Sequence, residues 1–303
     1  MMKYVGRVAL ILLLLLCIVL LVPSGAIVAY GEVVEIPLNA KKGMEPLKDG
    51  YLSDLEYEDP SISVKIEKGR MYETNYVAAR VKIANASQLR TVMAAGYYSP
   101  STLMGTTMAK RTNAVLAING DFFSSRNGHG FVARQGKVYR TACDPMIYDI
   151  LIIDENGDMH ILEKPDNAAV KAFPGTPIQG FTFGPGLIVN GEVRRHDPAS
   201  FNADTFDCAA GKAAQRMCLA QVGPLEYLCI SSEGPEDPGS VGMTLDQFTD
   251  LVASFEGIQN AYNLDGGSSS TMVFNGDKIN SPNNPKRRPL CDMIYFASAW
   301  DAE

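Results

Sequence analysis

The sequence has few of the residue patterns that bind transition metals. It contains three histidines, no Cys-x-x-Cys pair and no cysteine and histidine spacing that suits zinc. Protein zinc sites are built from such cysteine and histidine clusters. The sequence therefore argues against a zinc domain and against a histidine-rich metal centre.

Basic residues are also in deficit. The chain has 27 lysines and arginines against 34 aspartates and glutamates, a formal net charge of -7. Nucleic-acid binding depends on clustered lysines and arginines that neutralise phosphates, so this balance argues against a nucleic-acid partner. The hydrophobic share of 46% is enough to bury a core, which argues against disorder.

One long apolar run lies at the N-terminus. It extends from Val8 to Val22, follows Lys3 and Arg7, and precedes small residues. This order is typical of an export signal, and an uncleaved stretch approaches the length that spans a bilayer. Residues 1–30 therefore predict either a signal peptide or a signal-anchor transmembrane helix. In both cases the positive-inside rule places the rest outside the cytoplasm, either as an extracellular domain on the cell membrane or secreted.

Five cysteines follow this N-terminal segment, an odd number for an exported protein. One interpretation pairs Cys208 with Cys218 in a disulfide across a short polar loop. The alternative makes all five cysteines small buried apolar side chains. The sequence leaves both alternatives open.

The remainder divides at about residue 60. Residues 31–60 are polar, contain prolines and glycines, and end in an acidic stretch, so we predict a stalk or linker. From there, Ile62, Val64 and Ile66 alternate with polar residues, the period of a half-buried strand. No internal repeat or low-complexity tract follows, and we predict a single domain over residues 61–303.

Short strands dominate this domain, and Asn-Gly turns between them suit tight hairpins. Further strand candidates are residues 114–119, 130–140, 148–154, 186–193, 226–231, 261–264, 271–279 and 292–298. The clearest helix covers residues 244–257, from a capping box at Thr244 and Gln247 to a C-terminal cap at Gly257. A second helix covers either residues 87–95 or residues 103–110. The pattern predicts an α+β fold, a β-rich domain of mixed or antiparallel sheets with a few packed helices, preceded by the N-terminal hydrophobic helix.

Two segments place an acid directly after an apolar strand. Asn119-Gly120-Asp121 follows one strand, and Asp265-Gly266-Gly267 with the hydroxyl residues 268–271 follows another. Two glycines before small hydroxyl residues allow backbone N–H groups to converge on an anion. An ordinary turn and a flexible connector are the alternatives. The second segment is held between two apolar strands, which favours a binding function.

These segments, AINGDFF and NLDGGSSSTM, resemble the two signature motifs of the phosphodiester glycosidase family. The segments GFVARQGKVYR, FTFGPGLIVNGEV, GMTLDQF and RRPLCDMIYF occur in the order seen in bacterial members, so the resemblance covers about residues 61–300. It implies an extracytoplasmic hydrolase that cuts between the anomeric carbon of a GlcNAc-like sugar and a phosphodiester. The implied substrates are cell-envelope or exopolysaccharide glycans.

The resemblance also implies roles for individual residues. Glycoside cleavage usually needs two carboxylates, and Asp121 and Asp265 are the natural pair, with nucleophile and acid/base roles open between them. Arg216 and Arg288 match family arginines and would hold the phosphate; a surface cation is the alternative for each. The predicted substrate- and phosphate-binding residues are Asn119, Arg216, Gly266, Gly267, Ser268, Ser269, Arg288 and His129.

Glu233, Pro235 and His129 allow alternative interpretations of the function. Relatives have Asp-Gly-Arg where this chain has Glu233-Gly234-Pro235, so Glu233 keeps the acid and joins the catalytic candidates. The missing arginine motivates an alternative function, an envelope protein that binds cell-wall or capsular polysaccharide without cleaving it. His129 is either a substrate contact or an exposed turn residue.

A metal site is a separate hypothesis. Asn119, Asp121 and Asp265 offer the oxygen ligands that Ca²⁺ or Mg²⁺ prefer, but an acid/base pair needs the same atoms. Phe122 and Phe123 are expected to divide their roles, one packing in the core and the other stacking on a sugar.

Overall fold

The computed structural model describes residues 31–125, 128–144, 149–196, 208–281 and 287–302. The chain divides into two compact units, Val33–Asp301 and Met1–Glu32 with Ala302–Glu303. The signal peptide or transmembrane helix predicted at residues 1–30 lies outside the described residues. Within the described ranges, no helix combines the length and the apolar character needed to cross a membrane.

The larger unit is built on a nine-stranded sheet. In spatial order its strands are β14 (Glu192–Val193), β13 (Gly186–Val189), β17 (Asn260–Leu264), β15 (Arg216–Gly223), β16 (Glu226–Ser232), β5 (Thr74–Ile83), β4 (Ile62–Met71), β3 (Glu56–Asp59) and β2 (Tyr51–Ser53).

Two five-stranded sheets accompany it. The first has the order β19 (Asp277–Lys278), β18 (Met272–Phe274), β7 (Ala114–Asn119), β20 (Asp292–Ala297) and β6 (Leu89–Met93). The second has the order β11 (Met159–Leu162), β10 (Ile150–Ile153), β12 (Gln179–Phe181), β8 (Gly130–Arg134) and β9 (Lys137–Ala142). Neighbouring strands in all three sheets pair antiparallel.

Helices are few in the described part of the chain. They are α1 (Gly105–Arg111), α2 (Asn167–Lys171) and α3 (Leu245–Ala253). The remaining strands, β1 (Glu32–Val33) and β21 (Trp300–Asp301), have two residues each. The predicted β-rich fold with antiparallel sheets and a few helices is confirmed.

Strand β20 is buried on both faces, which explains why its sequence is apolar from Met293 to Ala297. Ile294 and Phe296 point into the main core between the first five-stranded sheet and the nine-stranded sheet, whereas Met293 and Tyr295 pack with α1 on the opposite side. Successive side chains of a strand point to opposite faces. A strand buried on both faces is therefore apolar throughout, and β20 carries its first residue, Asp292, into the protein interior.

The predicted helix at residues 244–257 is shorter in the structure. Thr244 and Gln247 form the expected capping box, with Thr244 Oγ1 accepting from Gln247 N at 3.3 Å. The helix ends at Ala253, and Ser254 takes the cap position, so Gly257 belongs to the following turn, where its φ is +84°. Of the two alternatives for a second helix, the structure has the one at residues 103–110.

Residues 51–59 differ from the stalk expected there, because they form β2 and β3 of the nine-stranded sheet. Tyr57 is fully buried and its hydroxyl donates to Asp59 Oδ2 at 2.7 Å, while Asp59 Oδ1 accepts from Ser61 N at 2.7 Å. A buried carboxylate with such partners is tolerated in a sheet. Acidic composition alone was therefore a poor indicator of a linker.

Of the two interpretations of the cysteines, the one with a Cys208–Cys218 disulfide is wrong. Cys218 is a buried thiol on β15 with no disulfide, and burial raises its pKa to about 12. Cys229 on β16 and Cys291 are likewise buried free thiols. These three cysteines act as small apolar side chains in the core.

Candidate functional site

The two strands that carry the acidic motifs end side by side. Asn119, the last residue of β7, donates through Nδ2 to Gly120 O at 3.1 Å and to Asp265 O at 2.7 Å. Its Oδ1 accepts from Thr271 N at 3.0 Å. The side chain is only 1% exposed. Asn119 is therefore a buried clamp between the two motif loops.

A narrow cavity of about 10 Å³ lies where the two loops meet. Its lining joins the two motifs to the C-terminal RRPLCD segment: Asn119, Gly120, Phe122, Asp265, Ser269, Arg288, Leu290, Cys291 and Asp292. We call it the motif cavity. It brings together four residues predicted from the sequence, Asn119, Asp265, Ser269 and Arg288, and adds Asp292, for which the sequence predicted no role.

A buried ion-pair triad of Arg134, Asp121 and Asp292 adjoins this cavity. Arg134 on β8 donates through Nη2 to Asp121 Oδ1 and to Asp292 Oδ2, both at 2.7 Å. Asp121 is completely buried, and its Oδ2 accepts from Thr182 N at 2.7 Å. The guanidinium carbon of Arg134 lies 4.4 Å from the ring centroid of Phe181. Both oxygens of the predicted catalytic residue Asp121 are thus hydrogen-bonded, one to Arg134 and one to Thr182.

Asp292 is the acid of this triad that reaches the cavity. Burial raises its pKa, Arg134 lowers it and Asp121 raises it again, for a resulting value of about 6. The Sγ of Cys291 donates to its Oδ1 at 3.4 Å. A carboxyl group with a raised pKa next to a cavity is a candidate proton donor.

Close contacts explain two of the motif glycines. A Cβ on Gly120 would lie 2.3 Å from Asp292 Oδ2, and a Cβ on Gly266 would lie 2.5 Å from Gln215 O. Real Cβ atoms do not approach other heavy atoms so closely. Glycine is therefore required at both positions to let Asp292 and the start of β15 approach the motif loops.

The anion-binding loop expected at residues 266–271 has a different structure. Gly267 N donates to Gln215 O at 2.9 Å, Ser269 N to Gly266 O at 3.2 Å, and Ser270 N to Gly267 O at 3.1 Å. These N–H groups stabilise a single 3-10 turn, Gly267–Ser269, and do not converge on a shared point. Ser268 is half-buried on this turn.

Two side chains of the motif cavity are suited to hold an anion. Ser269 has no exposed surface, and its Oγ makes no hydrogen bond within the described residues. The Arg288 guanidinium carbon lies 4.5 Å from the ring centroid of Phe122, and its side chain is half-buried. A buried hydroxyl without a partner costs free energy, so a ligand that accepts its hydrogen bond would be favoured.

The two phenylalanines after Asp121 differ in burial, and one of them packs in the core as predicted. Phe123 is buried and stacks on Tyr97 with ring centroids 5.4 Å apart. Phe122 is half-buried at the cavity with a φ of +54°, a conformation that is rare for a bulky residue. Such an outlier points to a functional constraint at this position.

The guanidinium of Arg216 donates to backbone carbonyl groups. Its Nε donates to Met243 O at 3.1 Å, Nη1 donates to Cys208 O at 2.7 Å, and Nη2 donates to Ala209 O and Lys212 O. Only 3% of the residue is exposed. Arg216 therefore ties the loop before β15 to the sheet.

Glu233 and His129 do not line the motif cavity. Glu233 Oε2 accepts from Asn75 Nδ2 at 2.9 Å and from Ser240 Oγ at 2.5 Å, in a separate cavity at the end of β16. His129 is exposed in the turn before β8. The structure thus brings neither residue to Asp265.

The predicted calcium or magnesium ligands are not arranged around a shared point. Asn119 Oδ1 accepts from Thr271 N, and both Asp121 oxygens are held by Arg134 and Thr182. Among the residues described, no three His, Cys, Asp or Glu side chains gather as a metal site would require. This donor set does not fit the predicted cation.

Asp292 and Arg134 were not predicted as site residues, because each lies at the end of an apolar strand segment. The sequence nevertheless contains a signal. A charged residue ends GFVAR and another begins DMIYFA, and the other residues of both strands are buried. Charged residues are rarely buried unless they are paired. Two such residues in one sequence predict an internal ion pair.

Comparison with known proteins gives a family and a fold. Residues 112–297 match the family model described as phosphodiester glycosidase. No curated protein sequence matches the chain.

Solved structures share the fold at low sequence identity. The zebrafish N-acetylglucosamine-1-phosphodiester α-N-acetylglucosaminidase catalytic domain, auto-inhibited by its pro-peptide, has a TM-score of 0.62 at 15% identity over 88% of this chain and 98% of that one. A hypothetical protein from Synechocystis has a TM-score of 0.50 at 16% identity over 78% of this chain and 62% of that one. A putative exported protein from Burkholderia pseudomallei has a TM-score of 0.51 at 14% identity over 74% of each chain.

Proposed function

The chain belongs to the phosphodiester glycosidase family of hydrolases, and on that premise we propose that it cleaves the bond between a GlcNAc-like anomeric carbon and a phosphodiester. We further propose that it acts outside the cytoplasm on cell-envelope or exopolysaccharide glycans. The support for that location is the positive, then apolar, then small-residue pattern of residues 1–30.

One observation carries the proposed reaction: a single cavity is lined by an acid from the second motif, an acid with a raised pKa and an arginine. Glycoside hydrolysis uses two carboxylates in different protonation states. Asp265 and Asp292 offer this difference, because Asp265 is half-buried at the strand end whereas Asp292 is buried in the triad.

In the proposed mechanism the Asp265 carboxylate either takes a proton from a water molecule that attacks the anomeric carbon, or attacks that carbon itself to form a glycosyl ester that water then hydrolyses to the free sugar. The bond from that carbon to the phosphate oxygen breaks, and its electron pair goes to the phosphate. Asp292 supplies the proton that the leaving phosphate takes up. Arg288 and the Ser269 hydroxyl bind the phosphate oxygens, and Asp121 with Arg134 holds Asp292 in place.

The test is hydrolysis of a GlcNAc-1-phosphodiester by the purified protein in ¹⁸O-labelled water. Cleavage at the anomeric carbon places the label in the sugar, which is the expected result. Label in the phosphate would contradict the proposal, since it indicates attack at phosphorus. Saturable polysaccharide binding without release of sugar or phosphate would instead support the non-cleaving envelope protein.

The raised pKa of Asp292 leads to a pH prediction. The proton is present below a pKa of about 6 and is lost above it, so kcat/KM should fall as the pH rises through about 6. The measurement is kcat/KM for the same phosphodiester from pH 4 to 8, in roughly half-unit steps. Asp292→Asn has no titrating group, and the limb near pH 6 should vanish from its residual activity; a limb that persists in this variant assigns the titration to another group.

Removal of the cavity arginine should weaken substrate binding. We expect Arg288→Ala to raise KM by about tenfold or more, because a charge-assisted hydrogen bond to phosphate is lost. Arg287→Ala removes the same charge one residue away, outside the cavity lining, and should leave KM nearly unchanged. Equal KM values for the two variants would show that general surface charge, not a specific contact, determines binding.

A further inference from the structure

The cavity that contains Glu233 is not used by the proposed reaction. It has a volume of about 410 Å³ and is lined by Lys68, Arg70, Asn75, Tyr76, Glu233 and Ile279 among others. We call it the distal cavity. Lys68 and Arg70 are exposed cations in a chain with a net charge of -7.

Strand register fixes the position of the distal cavity relative to Asp265. One row of paired residues crosses the nine-stranded sheet from β17 to β4: Leu264, Met217, Ser231, Val77 and Lys68. Neighbouring strands lie about 4.8 Å apart, so four steps separate the end of β17 from Lys68 by about 19 Å. Asp265 directly follows Leu264. This separation exceeds the length of one sugar phosphate and matches a short oligomer.

The motif loop and the distal cavity also share a face of the sheet. Directly paired residues in antiparallel strands point to the same side, so Ser231 faces the same way as Lys68. Ser231 Oγ lies 2.9 Å from Ser270 Oγ, next to Ser269 of the motif cavity. Asn280 Nδ2 donates to Ser231 Oγ at 2.9 Å, and its neighbour Ile279 lines the distal cavity. These contacts, made by the buried side chains of Ser231, Ser270 and Asn280, place the two cavities on one side of the sheet.

The groups in the distal cavity are those that would recognise a sugar phosphate. Lys68 and Arg70 supply cationic donors for phosphate oxygens, and Arg70 Nη1 is oriented by Asn75 Oδ1 at 2.9 Å. Glu233 offers carboxylate oxygens to sugar hydroxyls. Tyr76 adds a half-buried aromatic ring on the cavity wall.

We propose that the distal cavity binds a second sugar phosphate unit of the molecule whose anomeric phosphodiester lies at Asp265. The substrate class is then an anionic polymer of repeating glycosyl phosphates, rather than a sugar nucleotide or a single glycosyl phosphodiester. This inference rests on the proposed function and deepens it by giving the substrate a minimum length.

The experiment compares two probes on the full chain: a synthetic tetramer of GlcNAc-1-phosphate units and the methyl phosphodiester of one GlcNAc-1-phosphate. We expect wild-type kcat/KM to be about tenfold higher or more for the tetramer, because the tetramer alone reaches Lys68 and Arg70. The double variant Lys68→Ala with Arg70→Ala should lose this preference and keep wild-type kcat/KM for the short probe. The control Lys82→Ala, an exposed lysine at the other end of the same β4–β5 hairpin, should behave as wild type.

A second measurement separates failure of this inference from failure of the proposed function. Binding of the tetramer to the Asp265→Asn protein, with and without the Lys68 and Arg70 substitutions, is measured by calorimetry. If neither probe is hydrolysed, the proposed function is wrong, yet weaker tetramer binding without Lys68 and Arg70 still supports the distal cavity as a subsite. Equal kcat/KM values for the two probes, or tetramer binding unaffected by the double variant, would overturn the inference.

Discussion

The Asp265→Asn variant should hydrolyse a GlcNAc-1-phosphodiester about 10³-fold more slowly than the wild type. An amide keeps the size of the carboxylate but can neither attack the anomeric carbon nor accept a proton from water. The backbone of residue 265 is held by Asn119 Nδ2 and by Gly120 O, which do not involve the carboxylate. The substitution should therefore remove the chemistry and keep these two backbone contacts.

Asp277→Asn is the matched control for this variant. Asp277 lies on β19, shortly after the same loop, is exposed and does not line the motif cavity. It should retain wild-type kcat, and thermal unfolding of both variants should match the wild type. Equal turnover by Asp265→Asn and the wild type would remove Asp265 from the mechanism.

The largest effect on stability should come from Arg134. Its guanidinium neutralises Asp121 and Asp292, and all three side chains are at most 2% exposed. Replacing it by methionine leaves two buried carboxylates facing each other, and removing one partner of a buried ion pair costs about 3–5 kcal/mol. We expect the free energy of unfolding, measured with urea at pH 7, to fall by this amount.

Two further variants show whether the loss of stability in Arg134→Met comes from uncompensated charge. Arg80→Met breaks the part-exposed pair of Arg80 with Glu226, and should cost no more than about 1 kcal/mol. Adding Asp121→Asn and Asp292→Asn to Arg134→Met removes the uncompensated charges and should restore much of the stability. A loss that persists in the triple variant would assign the role of Arg134 to packing against Phe181 instead of charge.

Local sequence patterns were sufficient to predict the strands and turns of the fold. Alternation of Ile62, Val64 and Ile66 identified β4, and Asn190-Gly191 and Asn275-Gly276 identified hairpin turns, where all four residues have positive φ. These features depend on neighbours within a few residues, so the sequence contains them directly.

The candidate site was only partly predictable, because its residues are brought together by three sheets. Asp265 was found because it follows an apolar strand within a recognisable motif. Arg216 has the same kind of local pattern, yet its guanidinium is occupied by carbonyls of a loop that folds back onto it. Asp292 becomes notable only when β20, β7 and β8 place it beside Asp121 and Arg134, which no single segment reveals.

The Asn119 clamp has a consequence for chemical ageing. An Asn-Gly sequence deamidates when the glycine nitrogen attacks the side-chain amide, a reaction that needs a mobile asparagine. Asn119 is fixed by hydrogen bonds at both ends of its amide, and Gly120 N donates to Asp292 O at 3.3 Å. Asn275 and Asn190 are exposed in hairpin turns, without such restraints on their side chains. Damage of this kind should therefore accumulate at the hairpins and spare the loop that holds Asp265.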